Sequence, residues 1–432
     1  MDKERILENV INYLSQHDKK EPFIKGETEV PVSGGQLSYF DIMNIVDAAL
    51  DGWVTEGKWA ERFKKELTSY TGYHHAVLCN SGSSANLLAL TAIKEKYDVL
   101  DKRLVITSAL AFPTTVAPIL QAGLVPVFVD IDIETLNPDV YHIEDAIKFR
   151  KPIAGVMLAH TLGFPYQARE IDKLCKDNGL FFIQDECDCL GAKLQDGTQL
   201  SEFGDVATLS FFPAHQLTTG EGGAVLCNDG RLMRAVESYS NWGRDCWCHP
   251  GENNLCGKRF GYKFPKLPKG YDHKYITTRI GYNMKMTELQ AALGTSQMGR
   301  IKEIVHLRRM NYTYLKSELQ KLPLFHNVFT LFRGPILSSP FGLPIMVKSW
   351  VANKNDIIRF LEDRNIKTRP IFSGNITRQP MMEHFPYDQV GDLHNCDEVM
   401  NNAFWLGVHP ELSQEQLDYV IESFADFLGK GL

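Results

Sequence analysis

His215 is the residue around which this chain's chemistry can be built. It stands in Ser210-Phe-Phe-Pro-Ala-His215-Gln-Leu-Thr-Thr-Gly-Glu-Gly-Gly223, directly after a short apolar run. An imidazole can take up and release a proton near neutral pH. Upstream, Asn80-Ser-Gly82-Ser83-Ser-Ala-Asn86 follows one predicted strand and opens a predicted helix. Small residues there let backbone N–H groups approach a phosphate at the helix N-terminus, although helix-capping serines leave the same pattern. Ile183-Gln-Asp185 sets a carboxylate at a strand end, where it can pair with a positively charged ring nitrogen or simply cap a turn. Phe112, in Ser108-Ala-Leu-Ala-Phe112-Pro-Thr-Thr115, can stack on a flat ring or belong to the core.

The cysteines form a second constellation. Cys246-Trp-Cys248-x7-Cys256 lies in a stretch without periodicity, and Cys187 and Cys189 follow Asp185 closely. Three thiols within eleven residues, with one from a distant strand end, can supply four thiolates to a structural zinc or to an iron–sulfur cluster. Incidental thiols in a loop are the plain alternative. Zinc accounts for the thiolates alone; a redox cluster also accounts for their place beside the His215 and Asp185 motifs.

The elements that must position these groups alternate strand and helix. Strands are predicted at 75–79, 104–107, 125–129, 154–158, 180–183, 207–210 and 224–227, with helices at 81–95 and 172–178. Such alternation implies a mainly parallel sheet covered on both faces, with ligands outside the carboxyl ends of its strands. Every motif above falls just after one of these strands. Residues 1–50 read as an N-terminal helical segment and 51–285 as the large domain. Within it, 241–275 is a long irregular loop rich in Gly, Pro, Cys and aromatics. Connecting helices are expected over 286–325, and a smaller α/β domain over 326–432.

The bulk numbers set limits. The chain has 432 residues, 44% hydrophobic and 23% charged, as for a globular enzyme of more than one lobe. Its net charge of −7 gives no general pull toward nucleic acid or acidic lipid, so an anionic substrate must be met by local Arg and Lys. No apolar run approaches a membrane span, and the charged N-terminus lacks the core of a signal peptide. A cytoplasmic protein with its nine cysteines reduced is expected.

The order and spacing of these motifs resemble the DegT/DnrJ/EryC1/StrS family of pyridoxal-phosphate (PLP) sugar aminotransferases, from Gly52 to the C-terminal lobe. The resemblance implies an aspartate-aminotransferase-like fold (PLP fold type I), with a mainly parallel seven-stranded sheet in the large domain. It implies that Gly82, Ser83 and Ser210 hold the cofactor phosphate, that Phe112 stacks on its ring, and that Asp185 pairs with its nitrogen. Asn283, in Gly281-Tyr-Asn283-Met-Lys-Met-Thr-Glu-Leu-Gln290, would reach the phosphate of a neighbouring subunit in a homodimer. Where the family carries its Schiff-base lysine, this chain has His215, which points to freely bound pyridoxamine phosphate (PMP) worked by a histidine base.

Within the family, His215 together with Cys187, Cys246, Cys248 and Cys256 is similar to the iron–sulfur sugar 3-dehydrases. So are Asn241-Trp-Gly-Arg-Asp-Cys246, Gly270-Tyr-Asp-His-Lys-Tyr275 and Gly374-Asn-Ile-Thr-Arg-Gln-Pro380. That likeness implies a [2Fe–2S] cluster on the four cysteines. It also implies C3 deoxygenation of a nucleotide-linked 4-keto-6-deoxyhexose, with CDP-4-keto-6-deoxy-D-glucose preferred over a dTDP-linked sugar, toward the 3,6-dideoxyhexoses of O-antigen or other cell-surface polysaccharide. Electrons would come from a separate NAD(P)H-dependent flavin or iron–sulfur reductase, since the chain has no dinucleotide motif after its first strand. Asp188 and Phe341 match pocket-lining positions, and Arg378 is a candidate for the substrate diphosphate or for a surface ion pair. Three features depart from the pattern: 58 residues between Cys187 and Cys246, one more than expected; Cys189 where alanine is expected; and Phe212 where tyrosine is common. Cys187, directly before Asp188, is preferred over Cys189 as ligand. The alternatives are a cluster-free PMP sugar 3-dehydratase, a sugar aminotransferase, and a non-catalytic zinc-stabilised subunit.

Overall fold

The computed structural model describes residues 2–17, 22–34, 37–97, 99 and 103–429. The large sheet is built from β1 (His75–Cys79), β2 (Leu104–Ser108), β3 (Val125–Val129), β4 (Ile153–Ala159), β5 (Phe181–Asp185), β6 (Val206–Ser210) and β7 (Gly223–Cys227). A smaller antiparallel sheet holds β8 (Phe329–Leu331), β9 (Gly342–Val347) and β10 (Thr368–Arg369). β11 (Asp388–Gln389) leaves that lobe, and β12 (Ala403–Gly407) returns to it.

Strand order in the large sheet is β1-β7-β6-β5-β4-β2-β3-β11. The pairs from β6 through β3 are parallel, while β7 runs antiparallel to both neighbours. All seven expected strands are present. The expected count is corrected to eight, because two residues of β11 pair parallel with β3, Asp388 opposite Val127. A two-residue strand has no periodicity to betray it in the sequence.

Alternation explains the covered sheet. Val77 and Cys79 pack on one face against Leu88, Ala89 and Ile93 of the helix Gly82–Lys96, whereas Leu78 joins Phe63, Leu67 and Ala291 on the other. The connecting helices run over Glu288–Met298 and Ile301–Lys321. In the small lobe Leu343, Ile345, Phe404 and Leu406 pack on Leu315, Phe325 and Phe424. Val30, between the two N-terminal helices Lys3–His17 and Tyr39–Leu50, joins this cluster and bridges to Ile366, which docks it on the C-terminal lobe. Among the described residues no helix is long and apolar enough to cross a membrane.

The stretch 241–275 is irregular, as expected; within it only His273–Tyr275 forms a helical turn. It folds around His273, which is 1% exposed, stacks on Tyr262 at 3.9 Å and shares a 2.7 Å hydrogen bond with Asp245. Arg259 adds a two-pronged contact to Asp272, at 2.8 and 2.6 Å.

Candidate active site

A cavity of about 610 Å³ opens at the carboxyl ends of the central strands. Its walls include Gly82, Ser83, Phe112, Asp185, Cys187, Asp188, Ser210, His215 and Phe341, so nine of the residues singled out from sequence converge on one space. Phe112 is half exposed there, not core, and Phe212 likewise.

The phosphate end is set by close packing. Ser81 caps the helix Gly82–Lys96 by accepting the Ser84 N–H at 3.1 Å. A Cβ on Gly82 would lie 2.5 Å from the Cβ of Ser210 and 3.1 Å from the Cys187 sulfur. Only glycine admits Ser210 so near the helix N-terminus, where unpaired N–H groups favour an anion. The observed cradle fits a phosphate.

Asp185, at the end of β5, is 5% exposed. Its Oδ2 accepts from Asn86 Nδ2 and Thr115 Oγ1, both at 2.8 Å, and its Oδ1 from the Cys187 N–H at 3.2 Å. Asn86 is held in turn by Thr208, whose hydroxyl donates at 2.6 Å. This fixed carboxylate inside an aromatic-walled cavity suits a protonated ring nitrogen. Sequence reading missed Asn86 and Thr115 as its supports. Asn86 lies four residues after Gly82, on the same helix face, which was the available signal.

His215 sits in the loop between β6 and β7, closed by the Phe211 N–H to the Gly222 carbonyl at 2.9 Å. The Gln216 amide donates to the carbonyls of Asp188 and Ser339 at 2.5 and 3.0 Å, tying this loop to the β5 end. The imidazole Nδ1 therefore stands 3.5 Å from Asp188 Oδ1, with Phe341 beside the ring at 5.3 Å. Burial, aided by the Arg308 charge, pushes the His215 pKa down to about 3. Burial and the neighbouring Asp185 push Asp188 up to about 8. Both directions favour neutral groups, so the 3.5 Å contact is not an ion pair, and the imidazole stands unprotonated as a weaker base than a free histidine.

Arg308 was not foreseen. It is 1% exposed and donates to the carbonyls of Ala214, His215 and Phe341 at 2.9, 3.1 and 3.3 Å. His160 also lines the cavity; it stacks on Tyr166 at 3.8 Å and faces Gln184 at 3.3 Å.

Other expected residues lie elsewhere. Asn283 accepts from Lys285 at 2.6 Å and bridges to Asn241, outside the cavity. Arg378 is 57% exposed in its side chain and is bound to Asp397 at 3.1 and 2.7 Å, apart from the cavity. Cys246, Cys248 and Cys256 come together around a small void shared with Arg259 and His273. Cys187 is not with them. It faces the large cavity beside Gly82, and Cys189 is buried in the core at 1% exposure. The expected ligands thus divide between two cavities, with three thiols on the small one and Cys187 on the large one. Among the described residues no group of three or more His, Cys, Asp or Glu side chains is arranged to hold a metal ion. The reason is local: Cys187 is pinned by its amide to Asp185, while the other three ride on a separately folded loop.

The DegT/DnrJ/EryC1/StrS aminotransferase family profile matches residues 38–425. The chain is 42% identical over 436 residues to the lipopolysaccharide biosynthesis protein RfbH of Salmonella typhimurium, covering 99% of this chain and 98% of that one. It is also 42% identical over 435 residues to dTDP-4-dehydro-2,6-dideoxy-D-glucose 3-dehydratase of Saccharopolyspora spinosa, covering 99% and 92%. Among solved structures, the Escherichia coli GDP-4-keto-6-deoxy-D-mannose-3-dehydratase with bound hydrated PLP superposes with a TM-score of 0.81 at 24% identity. That match covers 91% of this chain and 99% of the other, and shows the shared PLP fold type I architecture.

Proposed function

The chain belongs to the DegT/DnrJ/EryC1/StrS aminotransferase family, and on that premise we propose that it is a PMP-dependent 3-dehydratase of a nucleotide-linked 4-keto-6-deoxysugar, with His215 as its base. One observation carries this over aminotransfer: among the described residues lining the cavity there is no lysine, and His215 holds the loop position next to Asp188. Relatives named as 3-dehydratases, and one named for lipopolysaccharide biosynthesis, support the same assignment and a place in deoxysugar or surface-polysaccharide synthesis.

Gly82, Ser83 and Ser210 would hold the phosphate, Asp185 the ring nitrogen and Phe112 the ring face. The bound cofactor supplies an amine that condenses with the C4 ketone and a ring that accepts electrons. His215, unprotonated through burial, takes a proton at Nε2 from the carbon next to that amine, since its Nδ1 is buried beside Asp188. Phe341 and Phe212 exclude water beside it, and the proton can then be handed to the departing C3 hydroxyl. Asp188 packs beside Nδ1 of the imidazole at 3.5 Å with no hydrogen bond between them. Asn283 acts, in this reading, in the partner subunit of a homodimer, and the domain limits 51–285 and 326–432 mark the two lobes that enclose the site.

The finer reading adds a [2Fe–2S] cluster and an NAD(P)H-dependent reductase, with a CDP- or dTDP-linked substrate. The spacing Cys246-Trp-Cys248-x7-Cys256 and the meeting of these three thiols support it. Among the described residues Cys187 lines a different cavity from these three thiols, so a cluster on all four needs the two walls to meet. Iron and acid-labile sulfide assay after anaerobic purification decides it: iron near two per chain supports the cluster, and zinc or no metal removes it.

The experiment for the main reading is incubation with PMP and a CDP- or dTDP-4-keto-6-deoxyhexose, read by mass spectrometry. Loss of the C3 oxygen is expected. Replacement of the C4 carbonyl oxygen by an amine, with C3 intact, would establish an aminotransferase instead.

A further inference from the structure

A nucleotide sugar brings a diphosphate to a cavity that is already acidic. Asp185, Asp188 and Glu221 line it. Among the described lining residues Arg369 is the one lysine or arginine. The diphosphate needs a cation at this wall, which these acidic side chains do not supply.

The other arginines considered for the task are committed. Arg378 is closed on Asp397, and Arg308 is buried outside the cavity wall with three of its N–H groups on backbone carbonyls. Arg369 is exposed, and among the described residues its side chain makes one hydrogen bond, from Nη1 to the adjacent Thr368 carbonyl at 2.7 Å. No carboxylate among the described residues is ion-paired with it. The remaining guanidinium donors are free to grip phosphate oxygens as a fork.

Its base is rigid. Arg369 ends β10, in register with Trp405 of β12, and the Trp405 indole N–H donates to the Pro370 carbonyl at 2.9 Å. The following segment crosses to the large lobe, where the N–H groups of Ser373 and Ile376 reach the carbonyls of Ala111 and Ala109 at 3.2 and 2.8 Å. Just before Ser373, Phe372 is held at φ 47°, a left-handed conformation that a bulky residue keeps only when its surroundings impose it. It faces Phe112 at 6.3 Å. The small lobe thus presents Arg369 at the cavity wall on a strapped, preformed segment.

We propose that Arg369, carried on β10 at the wall of the cavity, is the side chain that binds the diphosphate of the nucleotide-linked substrate. The assignment rests on the nucleotide-sugar reading above. It places the sugar inward toward His215 and the nucleoside outward.

The test is calorimetric titration of the full-length PMP-loaded protein with CDP and dTDP, and with cytidine and thymidine as nucleosides lacking the charge. Arg369→Gln should weaken nucleoside diphosphate binding roughly ten- to a hundred-fold, the range for a charged hydrogen-bond pair. Arg369→Lys, which keeps the charge and loses the fork, should fall between. Nucleoside binding and PMP absorbance should be unchanged in both, and turnover should show a raised KM with kcat retained, as for uniform binding. Unchanged CDP and dTDP affinity in Arg369→Gln overturns the assignment while leaving the nucleotide-sugar reading intact. Equal loss of nucleoside and nucleoside diphosphate also overturns it. A wild-type protein that binds neither CDP, dTDP nor GDP overturns both.

Discussion

The guanidinium of Arg308 donates to the backbone carbonyl of His215 at 3.1 Å and to that of Ala214 at 2.9 Å. A fully buried cation therefore fixes the backbone of the residue that moves the proton. Its charge adds to burial in lowering the basicity of that imidazole.

Removing that clamp should cost catalysis more than binding. Arg308→Met keeps the length and apolar stem but leaves three carbonyls unpaired. A displacement of the base by about 1 Å is enough to lose on the order of 10²-fold in rate. The expected result is a fall in kcat of that order with KM nearly kept. PMP affinity should hold, because Arg308 does not line the cofactor cavity. Steady-state kinetics with a cofactor titration checks both.

Gly82→Ala should act at the other end of the cavity. The added methyl meets Ser210 at 2.5 Å, nearer than side chains tolerate, so the helix start or β6 must shift. Overpacking of this kind costs about 1–3 kcal/mol. Chemical denaturation should show that loss, and PMP should bind more weakly, since the shifted atoms are the phosphate cradle. Wild-type PMP affinity in this variant would separate Gly82 from the phosphate.

His160 gives a pH-dependent prediction. Burial lowers its pKa from 6.5 to about 3 in the folded chain. A histidine with a depressed folded pKa stabilises fully above 6.5, and the contribution is lost as pH falls from 6.5 toward 3. Other buried groups titrate in the same window, with Glu186 and Asp188 raised and opposing it. The difference between wild type and His160→Gln isolates the single group. The stability advantage of wild type should shrink by about 2 kcal/mol between pH 7 and pH 5. A difference independent of pH would mean that His160 is not buried neutral.

These groups differ in how much of them the sequence exposes. The seven main strands are legible because short Val, Ile and Leu runs recur between turn signals. Gly82, Asp185, Ser210 and His215 are legible because each follows a strand end, where parallel sheets bind ligands. Arg308 was legible in principle. It interrupts the apolar seam Ile301, Val305, Tyr312, Leu315 at helical spacing, and a charge on such a seam must be buried against something. Arg369 was not legible, since its value depends on a cavity assembled from both lobes. The relation of Cys187 to the other three thiols could not be read either. Ligand spacing says which thiols can meet, but the fold of the 241–275 loop around His273 decides where they stand.

The central claim is that His215 is the base of a PMP-dependent dehydration. The most direct measurement is tritium release from PMP labelled at its methylene carbon, on incubation with a 4-keto-6-deoxyhexose nucleotide, for wild type and His215→Asn. Asparagine keeps polarity and much of the size but accepts no proton near neutral pH. Wild type should release label, and the variant should do so roughly 10²–10⁴-fold more slowly while still binding PMP. Release by His215→Asn at the wild-type rate would contradict the account and assign the proton to another group.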